Sequence, residues 1–277
     1  MKTKFKSKNR SIILFTIVGT MAVFFYRQNN DIQITRMTYI NKKVPLAFDG
    51  FVVVHISDLH NMRFGKDQNI LLTKVKDAAP DIIVVTGDIV DSERTDVEIA
   101  MEFIRGTVDI APVYFVSGNH EERIKEYVLL IESMIQAGVH MLDNKQTMIE
   151  RGGSNIELMG IIDPFFAPAK SSLDELNFET QDSFKILLSH RAELLKLYAS
   201  KHIDLVFTGH AHGGQVRIPY IMPGLIAPHQ GLFPKYTSGA YISSDTTEIV
   251  SRGLGNSSFP FRIFNRPEII VVTLKSK

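Results

Sequence analysis

Val53-Val54-His55-Ile56-Ser57-Asp58-Leu59-His60 is an apolar run that ends in Asp-x-His. Residues two apart on an extended chain point to the same side, so this segment reads as a strand aiming a carboxylate and an imidazole at one point. The pattern recurs downstream. Asp81-Ile82-Ile83-Val84-Val85-Thr86-Gly87-Asp88 ends in Gly-Asp, and Val113-Tyr114-Phe115-Val116-Ser117-Gly118-Asn119-His120 ends in Gly-Asn-His. Ile186-Leu187-Leu188-Ser189-His190 ends in a lone His, and Leu205-Val206-Phe207-Thr208-Gly209-His210-Ala211-His212 ends in Gly-His-x-His. Gly87, Gly118 and Gly209 each precede a ligand-type residue, where glycine permits a sharp turn and close backbone approach.

Working outward, the same runs predict strands at 51–56, 81–86, 113–117, 157–162, 185–189 and 205–208. Helical periodicity predicts helices at 68–78, 96–105, 122–137 and 192–200. Alternation of the two is the α/β signature. After a Gly- and Pro-rich stretch at 213–234, β-like runs at 239–243, 248–252 and 268–274 lack helix-length spacers and are expected to pair antiparallel. Two packed sheets with helices outside fit this order, and periodicity alone fits a single doubly wound sheet as well. In open α/β sheets ligands bind beyond the carboxyl ends of the strands, so neighbouring strands would make these tips converge. A single Asp-x-His or Gly-Asp is a weak signal. The ordered set is specific.

A chain of 277 residues suits one large domain with a short appendage. A formal charge of +1 offers no electrostatic case for nucleic-acid binding. Cysteine is absent, which excludes disulfides, thiolate metal sites and Cys nucleophiles together. Any metal is therefore held by oxygen and nitrogen.

Lys2, Lys4, Lys6, Lys8 and Arg10 precede an uncharged, mostly apolar run from Ile12 to Tyr26. As a helix, a run of this length spans only about 22 Å against a hydrocarbon core of about 30 Å, which suits a cleaved signal peptide. Against cleavage, Phe24, Phe25, Tyr26 and Arg27 replace the small residues a signal peptidase needs, and Arg10 and Arg27 can snorkel. The reading adopted is an uncleaved single-pass anchor in the cell membrane, with secretion as the outcome of cleavage. The cation bias puts the N-terminus in the cytoplasm and the remaining chain outside.

The succession Asp-x-His, Gly-Asp, Gly-Asn-His, His, Gly-His-x-His resembles that of the calcineurin-like metallophosphoesterase superfamily over roughly residue 51 to the C-terminus. The segments Gly213-Gly214-Gln215, Phe233-Pro234-Lys235-Tyr236 and Ser251-Arg252-Gly253-Leu254-Gly255-Asn256 resemble a narrower membrane-associated or exported bacterial branch. That branch includes phosphodiesterase-like proteins and relatives of UDP-diacylglucosamine hydrolases. The resemblance implies a four-layer α/β/β/α sandwich in a catalytic domain at 48–277, after the anchor at 1–30 and a linker or first strand at 31–47. It implies a dinuclear centre in which Asp58, His60 and His212 hold one metal, Asn119, His190 and His210 hold the other, and Asp88 bridges them. Such a set of donors suits Mn, Fe or Zn better than Mg or Ca.

His120 is then expected to stabilise the transition state or protonate the leaving oxygen, with Glu121 orienting it from behind. The expected substrate is a phosphodiester or pyrophosphate of an envelope lipid, nucleotide or wall component. The alternative is a noncatalytic metal-binding scaffold of the same fold. The oligomeric state is left open by the sequence. His55 reads as a packed strand residue, His140 and His202 as helix-end residues, and His229 as a solvated loop His. Arg191 reads as a surface residue and Asp163 as a strand tip or a simple turn before Pro164. Phe165, Phe166, Phe259 and Phe261 read as core or packing residues rather than as a lipid-facing entrance.

Overall fold

The computed structural model describes residues 2–176 and 183–277, with side chains from residue 12 onward. Helix α1 (Lys2–Asn30) runs without a break into strand β1 (Gln33–Asn41) after two residues. Strands β2 (Val52–Ile56), β3 (Ile82–Val85) and β4 (Val113–Phe115) alternate with helices α2 (Asn69–Asp77) and α3 (Val97–Val108). Helices α4 (Asn119–Arg123) and α5 (Tyr127–Ala137) lead to strands β5 (His140–Met141), β6 (Lys145–Arg151) and β7 (Ser154–Gly160). Next come α6 (Ala169–Glu175), β8 (Lys185–Arg191), α7 (Leu195–Ala199) and β9 (Leu205–Gly209). The remainder is β10 (Ile226–Ala227), β11 (Gly231–Leu232), β12 (Gly239–Ser243), β13 (Thr246–Val250) and β14 (Glu268–Ser276).

Two six-stranded sheets result, ordered β1-β14-β2-β3-β4-β5 and β12-β13-β9-β8-β7-β6. This decides between the two architectures left open by periodicity. Strand alternation builds the layers. Val54, Ile83 and Phe115 face outward onto Leu71, Phe103 and Leu130 of the first helical layer. Their neighbours Val53, Ile82 and Tyr114 face inward and meet Ile186, Leu205 and Phe207 of the second sheet. Leu187 and Val206 face the other way, onto Leu173 and Tyr198 of the second helical layer. Three apolar seams between four layers make the α/β/β/α sandwich, and full burial of each large aliphatic or aromatic side chain contributes about 1.5–3 kcal/mol.

The helices follow local signals. The Asp96 side chain accepts the Ile99 N–H at 3.2 Å and caps α3, while Gly138, at φ +102°, ends α5. The helix expected over 122–137 is broken: Ile124 takes an extended backbone and drops into the first seam, separating α4 from α5. The helix expected over 192–200 is a 3-10 turn at Ala192–Leu194 followed by the short α7. The final strands pair antiparallel only in part. β12 pairs antiparallel with β13 and β14 with β2, whereas β13 joins β9 and β14 joins β1 in parallel. Segment 31–47 contributes β1, bonded along the whole of β14, so it is part of the sheet.

Candidate metal centre

β2, β3 and β4 run parallel, as do β7, β8 and β9, so the motif-bearing tips of both sheets lie at one end of the sandwich. The structure brings all seven expected metal-ligand positions, and His120, to that end and buries them. Asp58, His60 and His212 form one cluster and Asp88, His190 and His210 another, each with its ligand atoms within 4.8 Å of one another. Nε2 of His60 and Nε2 of His212 lie 3.2 Å apart, and Nδ1 of His210 lies 3.0 Å from Nε2 of His190. Asp88 Oδ2 sits 3.1 Å from His190 Nε2 and 3.6 Å from His60 Nε2, between the two clusters. Asn119 Oδ1 is buried with no hydrogen-bond partner among the described residues.

The backbone bends hard to achieve this. Asp58, Asp88, His60, His210 and His212 all have φ between +44° and +65°, a region that L residues seldom enter and that costs on the order of 1–3 kcal/mol each. Close approach explains two of the glycines: a Cβ on Gly118 would overlap the Asp88 carboxylate, and one on Gly209 would overlap Ser57 and Asp58. At His190 the pairing of β8 with β9 shifts register between Leu188 and Arg191, an irregularity that re-aims the ring. His190 Nδ1 donates to the Thr86 carbonyl at 2.7 Å, so Nε2 faces Asp88 and offers a lone pair once its proton is lost. The stretch Ser251–Asn256 wraps the first tip, with the Gly255 N–H donating to the Asp58 carbonyl at 2.6 Å.

Charge at the centre is organised by opposition. Burial works against ionisation of Asp58 and Asp88, yet the surrounding His rings hold both carboxyls below their usual range. Burial pulls His190 down, but Asp88 and Asp58 outweigh it and push it up to about 10. His212, desolvated and less compensated, falls to about 3, and His210 drops well below its ordinary value. This buried set of carboxylates and imidazoles, with an amide oxygen left unpaired, fits two divalent cations held by oxygen and nitrogen.

His120 stands beside the clusters, its ring edge-on to His60 at 4.6 Å. Its Nδ1 accepts the Ser92 N–H at 3.0 Å, which puts the ring proton of the neutral form on Nε2. Ser257 Oγ lies 3.3 Å from that Nε2. The expected contact of Glu121 with His120 is not found. The Glu121 carboxylate instead accepts the N–H groups of Asp88, Ile89 and Gly118, each at 2.8 Å. Being one methylene longer than Asp, it reaches across to the tip of β3 and clamps the turn that carries Asp88. Burial first, then Asp88, pushes Glu121 up to about 7.

His55 is packed as expected, with Nε2 2.8 Å from Thr86 Oγ1. Arg191 is buried rather than on the surface, paired with Asp163 through Nε at 2.5 Å and Nη2 at 2.8 Å. Burying that pair needs partners from two strand ends, a contact without a local signal. His229 lies by the mouth of the cavity, its Nδ1 2.9 Å from His210 Nε2. Phe165, Phe259 and Phe261 are exposed, not core residues, because the loops that carry them lie outside all three apolar seams. Asp91, which is buried, and Ser92 were missed by the sequence reading, since nothing in Ile89-Val90-Asp91-Ser92 marks a turn that returns to His120. A cavity of about 440 Å³ opens over the centre, floored by Asp88, Asn119 and His120, with Arg123, Ile226 and Phe259 at its sides.

A sandwich of this kind with paired His and Asp clusters at its strand tips defines a class of metal-dependent hydrolases. The profile of the calcineurin-like phosphoesterase family matches residues 51–214, and the chain belongs to that family. It is a metallophosphoesterase, a hydrolase of phosphate esters, in a family that depends on two metal ions. The chain is 30% identical over 258 residues to the uncharacterized metallophosphoesterase YkuE of Bacillus subtilis, covering 91% of this chain and 88% of that protein. It is 26% identical over 235 residues to phosphodiesterase YaeI of Escherichia coli, covering 81% and 82%. The crystal structure of TT1561 of Thermus thermophilus shares the fold, with a TM-score of 0.51 at 13% identity over 74% of this chain and 90% of that one.

Proposed function

We propose that Asp58, His60 and His212 hold one metal ion, that Asn119, His190 and His210 hold the other, and that Asp88 bridges them. The observation that carries this is Asp88 Oδ2, 3.1 Å from a nitrogen of one cluster and 3.6 Å from a nitrogen of the other. Two divalent cations held there would supply the charge that neutralises a phosphate and the activation of an attacking water. Asp88 Oδ1 is fixed by the His120 backbone N–H at 2.8 Å, which leaves Oδ2 facing both clusters. His120, with its one ring proton set on Nε2 by Ser92, donates a hydrogen bond from Nε2 to the oxygen on which charge develops and so stabilises the transition state. Arg123, at the side of the cavity, adds positive charge for the phosphate.

The substrate is a phosphodiester or pyrophosphate, in an envelope lipid, nucleotide or wall component, and the domain acts outside the membrane entered by α1. The similarity to YaeI supports the diester, and the segment Ile12–Asn30, long and apolar enough to cross a membrane, supports the location. The test is hydrolysis of paired chromogenic phosphomonoester and phosphodiester substrates by the full chain in detergent, after chelation and separate return of Mn²⁺, Fe²⁺ and Zn²⁺. Metal-restored cleavage, faster on the diester and abolished by Asp88→Ala, is expected. Bound metal with no turnover on either ester would favour the scaffold reading.

A further inference from the structure

The end of α1 is built into the catalytic domain. Gln28 is buried and accepts the Asn265 N–H at 3.1 Å, while Asn29 Oδ1 accepts from Asn256 Nδ2 at 2.8 Å and from the Arg262 N–H at 3.3 Å. The Phe24 ring meets Phe264 at 5.4 Å and the Phe25 ring meets Phe261 at 5.7 Å. The fully buried Arg262 braces this loop, donating to the Arg252 carbonyl at 2.9 Å and to Asn256 Oδ1 at 3.0 Å.

Phe24 and Phe25 belong to the apolar run of α1, so Phe261 and Phe264 lie at the depth of its last apolar turn. Ser257, in contact with His120, is four residues from Phe261, which is at most about 14 Å of extended chain. The phosphate layer of a bilayer begins just beyond the hydrocarbon edge and is about 5–8 Å thick. The cavity is therefore within reach of that layer.

Exposed apolar side chains continue outward from the helix contact. Arg217 N–H donates to the Ile263 carbonyl, so the loop 217–223 adjoins Phe264, and its tip presents Tyr220 and Ile221 to solvent. At the cavity mouth the β10–β11 hairpin ends in Leu232 and Phe233, 66% and 70% exposed. Tyr220 and Phe233 sit at φ +66° and +55°, where bulky residues are rare, and neither is buried in the protein. Soluble surfaces seldom gather such residues, whereas aromatic and aliphatic tips suit the membrane interface.

We propose that the loops at 217–223, 231–233 and 259–264 rest in the headgroup layer of the membrane entered by α1, and that the cavity opens onto it to take the phosphate of an amphiphilic lipid ester. This rests on the phosphoesterase reading for its chemistry and on the docked helix for its geometry. Braced by Gln28, Asn29 and Arg262, the domain stands with its mouth against the lipid.

The experiment uses the full chain in vesicles of phosphatidylcholine and phosphatidylglycerol. Cysteine is absent from the sequence, so Ile221→Cys, Leu232→Cys and Ile135→Cys each accept a single environment-sensitive fluorophore. Lipids carrying a nitroxide near the headgroup are expected to quench the labels at 221 and 232 and to spare the one at 135, at the far end of α5. Unquenched labels at 221 and 232 overturn the placement, whatever the protein hydrolyses. The double variant Tyr220→Ser with Ile221→Ser is expected to lower turnover of a chromogenic phosphodiester lipid in the vesicles by about tenfold, through loss of two interfacial apolar groups. Its turnover of soluble bis(p-nitrophenyl) phosphate should stay unchanged. Equal effects on both substrates overturn the lipid-access reading. Quenching with no hydrolysis of either ester by the unsubstituted chain supports the placement and refutes the phosphoesterase assignment alone.

Discussion

Glu121→Gln separates two roles for one carboxylate. In the structure one oxygen accepts from Asp88 and Gly118 and the other from Ile89, all at 2.8 Å and all buried. A glutamine keeps one acceptor oxygen and turns an NH₂ toward the remaining donor. One charge-assisted hydrogen bond is lost, worth about 1.5–3 kcal/mol, and the other two weaken toward neutral strength. The gross loss is about 3–4 kcal/mol, but relief of the burial penalty that pushes Glu121 up to about 7 offsets much of it, so at roughly 2–4 °C per kcal/mol for a domain of this size the melting temperature should fall by only about 3 °C. Because the clamp holds Asp88 at φ +54°, metal affinity should fall by about 10–100-fold, the usual effect of losing an outer partner of a ligand. Thermal melting and calorimetric titration with Mn²⁺ measure both. If the variant instead keeps its stability and metal affinity and only loses turnover with a shifted pH profile, Glu121 acts on His120 and the clamp argument is wrong.

His120→Ala should lower turnover by about 10²–10³-fold with metal content intact, through loss of the Nε2–H hydrogen bond to the developing charge. A loss confined to alkyl leaving groups, which need a proton, in a series of diesters would refute this and make His120 a proton donor. Metal loading should release protons at pH 8, because His190 titrates at about 10 before loading and a ligand imidazole is neutral. Affinity then rises with pH up to that value and falls as His190 is protonated below it, and a pH-stat titration with no released acid would contradict this. Asp163→Ala leaves the Arg191 guanidinium buried without its carboxylate and should cost about 3–5 kcal/mol in chemical denaturation. A cost below about 1 kcal/mol would mean that Arg191 finds other partners.

The sequence by itself determined the α/β class, the strand tips and the ligand types they carry. Those features are local: period-two alternation marks a strand such as 52–56, and glycine beside Asp88, Asn119 or His210 marks a tight turn. Tertiary structure alone decided what depends on which segments become neighbours. The register irregularity that aims His190, the return of the Asp91-Ser92 turn to His120, and the reach of Glu121 to the backbone of β3 join residues from different strand ends. The burial of Arg191 against Asp163 and the docking of Gln28 and Asn29 on the 256–265 loop are of the same kind, the last spanning more than two hundred residues. Periodicity reports which face a residue occupies on its own element. It carries no information about the partner that this face will meet, and at this centre the partner sets the tautomer and the charge.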